Sequence, residues 1–442
     1  MTTTVTRRDL FKFGGLAALG VAGASTLAGC GQPKTVAEAA AEKGLADTGA
    51  ATGPAFLEPQ EPITDFAETH EYDVVVVGAG ESGLSAVHTA LEAGARVACV
   101  QNINAAQTTG NMAASIDLTQ TDEAAVQACV SFINWKSDYR SNRDLVNIWA
   151  HNSQEALAWW AEEAAKGGVE SKPHDAVLSY NGYDIHLHAN TYFRIGHDEV
   201  VKAIAPIAES SGVEFFFSCP AQQLVTDESG RVTGVVCEED GKNVLFNASK
   251  GVILATGDYQ CDPEMVAYYC PDIKEFPPCQ MNRTGDGHKM GVWAGGEIEP
   301  TTHTKMIHDA RVGRVDTPHL LVNAKGERFM CEGPMQGYLN NYVREYIHEA
   351  GGDAKAGNLY TIVDAKWQDQ IAEWKAIDPE IDASNCKWFY EGNTIEEACA
   401  AMAADTESGA YELDAAAVQA TVDRYNELCA KGSDDDFGKP AS

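Results

Sequence analysis

The stretch Tyr72, Asp73, Val74, Val75, Val76, Val77, Gly78, Ala79, Gly80, Glu81, Ser82, Gly83, Leu84 decides the fold. Its first six residues form a short apolar run heavy in valine, glycines follow at once, and the segment from Leu84 to Glu92 has helical spacing. Strand, glycine loop and helix therefore arrive in the order that a dinucleotide-binding unit requires. Gly78 allows the tight turn, Gly80 lets a pyrophosphate approach the main chain, and Gly83 lets helix and strand pack closely. The helix N-terminus, with Ser82 in its first turn, is left facing negative charge. Gly94 closes the helix and a second strand, Arg96 to Val100, follows it. At the end of that strand an acidic residue normally accepts the ribose hydroxyls, and here the position holds Gln101. An amide accepts one such bond, so loss of the carboxylate costs about 1 kcal/mol of cofactor binding.

Farther along, Val213 to Phe217, Val232 to Glu238 and Asn243 to Asn247 read as short strands, with turns at Asp227 to Gly230 and Glu239 to Gly241. They lead into Gly251, Val252, Ile253, Leu254, Ala255, Thr256, Gly257. A buried strand ending in Ala-Thr-Gly after a β-meander is the second signature of flavoproteins that use this fold for FAD. FAD is therefore preferred to a nicotinamide dinucleotide, with Thr256 and Gly257 added to the cofactor-binding set.

These motifs make the sequence resemble the flavoprotein family of soluble fumarate reductases, succinate dehydrogenase flavoprotein subunits and 3-ketosteroid 1-dehydrogenases, from about Tyr72 to Lys439. Thr109, Gly110, Asn111 and Met112 stand where the family has a cofactor-wrapping turn, and Ala221 stands where its adenine-side strand touches FAD. Thr284, Gly285, Asp286 and Gly287 reproduce its T-G-D-G turn, whose plainer reading is helix capping. Val322, Asn323, Gly326, Arg328, Phe329 and Glu332 match a stretch of the family's capping domain. The resemblance implies an α/β fold: a Rossmann-like FAD-binding domain of the GR2 type, with an α+β capping domain that supplies part of the substrate site. In fumarate reductases an arginine four residues after that glutamate donates the proton, whereas this chain has Gln336. His308 lies within one residue of the family's substrate-carboxylate histidine, followed by Asp309 in place of proline; it reads either as a substrate ligand or as a structural histidine. Arg311, Arg314, Tyr338 and Arg344 are candidates to replace the missing arginine as carboxylate clamp or acid, or are solvated side chains. The implied chemistry is reduction of an activated carbon–carbon double bond, or the reverse desaturation.

Working outward, Thr6, Arg7, Arg8, Asp9, Leu10, Phe11, Lys12 and the Gly/Ala-rich stretch to Ala28 have the build of a twin-arginine export signal. Leu27, Ala28, Gly29 and Cys30 resemble a lipobox, so the chain reads either as lipidated on Cys30 or as having an ordinary cleaved leader. The expected organisation is a signal over 1–30, a linker over 31–70, the FAD-binding domain over 71–304, a capping domain over 305–432 and the start of a return to the FAD domain over 433–442. In the resembled family well over a hundred further residues follow, so the FAD domain is expected to be incomplete at the C-terminus, by truncation or by encoding elsewhere.

With 32 Lys+Arg against 65 Asp+Glu, the net charge of −33 disfavours nucleic acid as a partner. The acidic surface reads as a solvated shell or as a dock for a basic electron carrier. Among the 12 cysteines there is no C-x-x-C pair and no C-x-x-C-H haem site. Cys261, Cys270 and Cys279 recur every nine residues, compatible with buried thiols or with a cluster, and no metal is assigned. The expected partners are a small organic substrate with a conjugated double bond and an electron donor, either a quinol-linked cytochrome or a flavin carrier. The expected place is the outer face of the cytoplasmic membrane. Two other readings stay open: a ketosteroid-dehydrogenase-like desaturase, and a non-catalytic flavin-binding remnant.

Overall fold

A computed structural model describes residues 54–108, 112–191, 197–276, 278, 282–299, 303, 319–332, 339–367, 388–407, 409–410 and 412–439. Residues 55–57 form a single 3-10 turn, and they belong to a unit separate from the one that starts at Pro59.

β1 (Glu68–Val77) is the spine of the second unit. It pairs in parallel with β2 (Val97–Val100), joined to it by α1 (Glu81–Glu92). Alternate residues of this valine run face opposite ways, as strand geometry demands. Val76, Val97 and Cys99 pack under Leu84 and Val87 of α1, while Val75, Val77, Ala98 and Val100 pack on the opposite side with Phe246 and Val235. Burial on both faces is what a parallel sheet imposes on its strands.

The chain then leaves the sheet through β3 (Met112–Ile116), α2 (Glu123–Lys136), α3 (Arg143–Lys166), β4 (Lys172–Tyr180) and β5 (Tyr183–Thr191). These strands make a separate antiparallel sheet in the order β3-β5-β4, over which Ile116, Val126, Cys129, Val130, Ala150 and Ile185 form a second core. Asp122 and Asn142 cap the two helices by accepting main-chain N–H bonds of their first turns.

α4 (His197–Ser210) brings the chain back, laying Val200, Val201, Ile204 and Ala208 onto the α1 side of the main sheet. β6 (Glu214–Phe216) adds to the edge beside β2, and β7 (Ala221–Thr226), β8 (Val232–Glu239) and β9 (Lys242–Leu254) form the meander. The complete order is β6-β2-β1-β9-β8-β7, parallel from β6 to β9 and antiparallel beyond. Asp240 and Gly241, both at positive φ, make the two-residue turn between β8 and β9.

One expectation is corrected here. Asn243 to Asn247 and Gly251 to Leu254 are a single strand of 13 residues, not two segments. The same strand pairs with β8 through its first half and with β1 from Val244 to Leu254, across a bulge at Ser249 and Lys250, so the meander and the Ala-Thr-Gly signature belong to one strand. Segment 59–67 is also held in place: Gln223 accepts from Ile63 N at 2.8 Å, and Ala67 N donates to Asn243 O at 2.9 Å.

α5 (Pro263–Tyr269) and α6 (Asp286–Trp293) follow the sheet, α6 packing on β7. Beyond them the described pieces are the antiparallel pair of β10 (Leu320–Val322) with β11 (Tyr360–Ile362), with α7 (Leu339–Glu349) between them in sequence, then α8 (Ile395–Ala404) and α9 (Ala415–Lys431). Asn323 to Arg328, part of the matched capping stretch, is a tight turn: Asn323 Oδ1 accepts from Lys325 N and Glu327 N at 2.9 and 3.1 Å.

Arg328 leaves that turn into a buried charge cluster. Its guanidinium donates to both carboxylate oxygens of Glu332 at 2.8 and 2.9 Å and to both of Asp434 at 3.0 and 2.8 Å. Lys439 balances the charge, donating to Glu332 at 3.2 Å and to the Tyr425 hydroxyl at 2.5 Å. Tyr425 and Phe437 place their rings 4.9 Å from the guanidinium carbon. With two cations and two carboxylates the cluster is neutral, which is the condition under which buried ions are tolerated.

Candidate functional site: a dinucleotide cleft at the strand ends

The carboxyl ends of β1, β2 and β9 open onto one cleft of about 430 Å³. Ligands of open α/β sheets bind at such strand ends. Gly78 to Ser82 and Ala255 to Gly257 form its floor, Gln101 to Ile103 and Cys219 to Ala221 one end, and Asn282 to Thr284 with Asp286 and Met290 another wall.

Close packing dictates the glycines. Gly78 has φ +111°, and a Cβ there would stand 2.3 Å from the Ala255 carbonyl oxygen. A Cβ on Gly83 would stand 1.8 Å from the Gly78 carbonyl oxygen, so α1 touches the turn that precedes it. Gly80 differs: its Cβ would meet protein only at 3.4 Å, an ordinary contact. Gly80 thus keeps open a space that the protein itself does not fill. It is also the N-cap of α1, and it provides no side-chain cap for that helix. The first-turn amides of Glu81, Ser82 and Gly83 have no carbonyl within the helix to bond, so they are donors available to an anion. This is the fit a diphosphate requires.

Gln101 is buried at the end of β2. Its Nε2 donates to Ala105 O at 3.3 Å, and its Oε1 accepts from Asn102 N at 3.3 Å. The amide therefore shapes the loop that edges the cleft as well as lining it. Thr108 N, farther along the same loop, donates to Asp198 Oδ1 of α4 at 3.1 Å. Replacing Gln101 with alanine is expected to weaken FAD binding by about 1–2 kcal/mol, roughly tenfold. A fluorescence-quenching titration measures this, and an unchanged affinity would show that this amide contributes nothing to the ribose end.

Gly78, Gly80, Ser82, Gln101, Ala221, Thr256, Gly257 and Asp286 of the expected cofactor set all line the cleft. Gly83 lies behind it, against Gly78. Met112 opens β3, and Gly110 and Asn111 lie outside the described residues. So do His308, Arg311, Arg314, Gln336 and Tyr338. Arg344 sits on α7, its guanidinium 3.5 Å from Asn341 Oδ1, and is not among the lining residues. In the T-G-D-G turn Gly285 is the left-handed N-cap of α6, without a side-chain cap, and Asp286 lines the cleft.

Sequence reasoning passed over Asn102, Gln107, Thr108, Asp258 and Arg283, which the fold brings to the same cleft. Asp258 was accessible as the residue that follows Ala-Thr-Gly, and Arg283 as the one that precedes T-G-D-G. Behind the wall, the Tyr259 hydroxyl bonds to His303 Nδ1 and lies 3.6 Å from Cys270 Sγ. Burial there pushes the phenol pKa well above its usual range. Cys279 lies outside the described residues. Among the described residues no group of three or more His, Cys, Asp or Glu is placed to hold a metal.

The FAD binding domain family model matches residues 73–442. The chain belongs to that family. Its cofactor is FAD. The urocanate reductase of Eggerthella lenta is 25% identical over 396 residues, covering 85% of this chain and 62% of that protein. The vinyl phenol reductase of Lactiplantibacillus plantarum is 26% identical over 417 residues, covering 85% and 80%. Among solved structures, the open conformation of a flavocytochrome c3 fumarate reductase superposes with a TM-score of 0.60 at 20% identity, over 84% of this chain and 64% of that one. The chain thus spans less than two thirds of the length of the urocanate reductase it matches.

Proposed function

We propose that this FAD-binding protein is a reductase of a carbon–carbon double bond conjugated to a carbonyl, a carboxylate or an aromatic ring. The observation that carries the reading is the diphosphate-fitting floor from Gly78 to Ser82, closed by Ala255 to Gly257, in a chain whose relatives include reductases of urocanate and vinyl phenol. FAD, once reduced by the electron donor, would supply the hydride that such a reduction needs. The chain's own part is to hold the cofactor, to orient an acceptor, and to deliver a proton to the carbon beside the one that is reduced. His308, Arg311, Tyr338 and Arg344 are the proposed clamp and acid groups, since Gln336 has no ionisable proton to give.

In this reading the leader of Arg7 and Arg8 exports the folded protein by the twin-arginine route, and Cys30 carries the lipid that anchors it outside the cytoplasmic membrane. No helix among the described residues is long and apolar enough to cross a membrane. Electrons come from a quinol-linked cytochrome or a separate flavin carrier.

The test is anaerobic reoxidation. Full-length protein loaded with FAD and reduced with dithionite is mixed with fumarate, urocanate, a cinnamate, vinyl phenol or an enone steroid, and the flavin absorbance is followed. Recovery of the oxidised band with one saturated product per flavin is expected for at least one acceptor. Protein that retains FAD but is reoxidised by none would overturn the catalytic reading and leave a flavin-binding one.

A further inference from the structure

Charge in the cleft does not balance through the helix alone. Three carboxylates line it, those of Glu81, Asp258 and Asp286, in a chain of net charge −33. The cofactor adds a diphosphate with about two further negative charges, against which the α1 terminus offers roughly half a positive one. Lys289 is 3.8 Å from Asp286, but its closer partner is Asp262 at 2.5 Å and it is not a lining residue. Among the described lining residues a single side chain is cationic, Arg283.

Its position is fixed from both ends. The main-chain carbonyl of Arg283 accepts from Cys261 N at 2.8 Å, and Gly285 N donates to Asp258 O at 3.3 Å, so the turn is tied to the segment that follows β9. The side chain then crosses Gly257: a Cβ there would lie 3.0 Å from Arg283 Cδ, 3.2 Å from Nε and 3.6 Å from Cζ. Gly257, at φ +76°, leaves room for that stem. Two residues earlier, the Ala255 carbonyl packs against Gly78 of the phosphate loop. The Arg283 side chain thus lies against Gly257, at the end of β9, where the Ala255 carbonyl packs on the Gly78 loop.

We propose that Arg283 is the counter-charge of the FAD diphosphate, supplementing the α1 amides. A guanidinium suits this place because it offers several donors in a fixed plane and keeps its charge at any working pH. The proposal rests on FAD being the cofactor and is independent of which acceptor is reduced.

Binding of FAD, of ADP as a diphosphate probe without flavin, and of riboflavin as a flavin probe without diphosphate separates the possibilities. Arg283→Gln is expected to weaken FAD and ADP by a similar factor, on the order of tenfold to a hundredfold, and to flatten the salt dependence of both. Riboflavin affinity and the midpoint potential of bound FAD should stay as in the parent protein. Arg283→Lys keeps the charge and should retain most of the ADP affinity. A glutamine variant that binds ADP as the parent does would overturn the proposal, as would one that shifts only the flavin potential, which would put the guanidinium at the isoalloxazine. A lysine variant as weak as the glutamine one would overturn the charge argument. The melting temperature of the cofactor-free variants should match the parent, and a large drop in both would make Arg283 a structural residue instead. Parent protein that binds neither FAD nor ADP would sink the cofactor reading itself.

Discussion

Gly83→Ala should abolish measurable FAD binding and lower the folding stability by about 3 kcal/mol, at the upper end for overpacking in a closed site. The new Cβ would lie 1.8 Å from the Gly78 carbonyl oxygen, and both sides of that contact are backbone, so no rotamer change relieves it. Either α1 moves away from β1 or the loop from Gly78 to Ser82 is rebuilt, and both displace the first-turn amides. Gly94→Ala is the matched control, because Gly94 has φ +77° with nothing within 4 Å of an added Cβ. That variant should lose only about 1 kcal/mol of backbone strain and bind FAD normally. Denaturant titration with a parallel flavin-binding assay checks both. If the Gly83 variant bound FAD like the parent, the packing of helix on loop would not be what shapes the site.

The second large effect is expected at Arg328. Arg328→Met removes the shared partner of Glu332 and Asp434 and leaves two buried carboxylates with one lysine between them, at a cost of about 3–5 kcal/mol. Adding Glu332→Gln and Asp434→Asn should recover much of that loss, since uncompensated charge rather than lost contact is the larger part of the penalty. The pH dependence has a definite sign. Arg328 holds the Asp434 carboxyl far below its ordinary 3.8, helped by the main-chain N–H groups of Lys439, Phe437 and Asp436. A depressed carboxylate contributes stability that is fully present above its unfolded pKa near 4 and is lost as pH falls below it. The parent should therefore weaken progressively below about pH 4, and the deficit of Arg328→Met should shrink over the same range. A deficit that stayed constant with pH would mean that the cluster is held by packing of Tyr425 and Phe437 rather than by charge.

What the sequence revealed was mostly what backbone geometry demands locally. The β1–α1–β2 unit was legible because Gly78 and Gly83 answer steric requirements that no other residue meets and Gly80 keeps the loop open between them. The Asp-Gly turn before β9 was legible for the same reason. The single strand from Lys242 to Leu254 was not, since Ser249, Lys250 and Gly251 look like a break; Ser249 and Lys250 form the bulge at which the register with β1 shifts, and the pairing resumes at Gly251. The β4–β5 hairpin escaped notice although Asn181 and Gly182, both at positive φ, are a strong local signal for it. Arg283 and Asp258 acquire their place only when the segment after β9 folds against the turn before α6. No local pattern encodes that meeting.

The pairing of β1 with β9 joins positions some 176 residues apart, as between Glu71 and Asn247. When β1, α1 and β2 leave the ribosome they are free to associate early, yet the cleft at their ends stays half built until Gly257 has left the exit tunnel. Completion of the cleft is therefore a late event in the life of each nascent chain. The valine strand must wait through the synthesis of the whole β3–β5 excursion with one of its edges unsheltered.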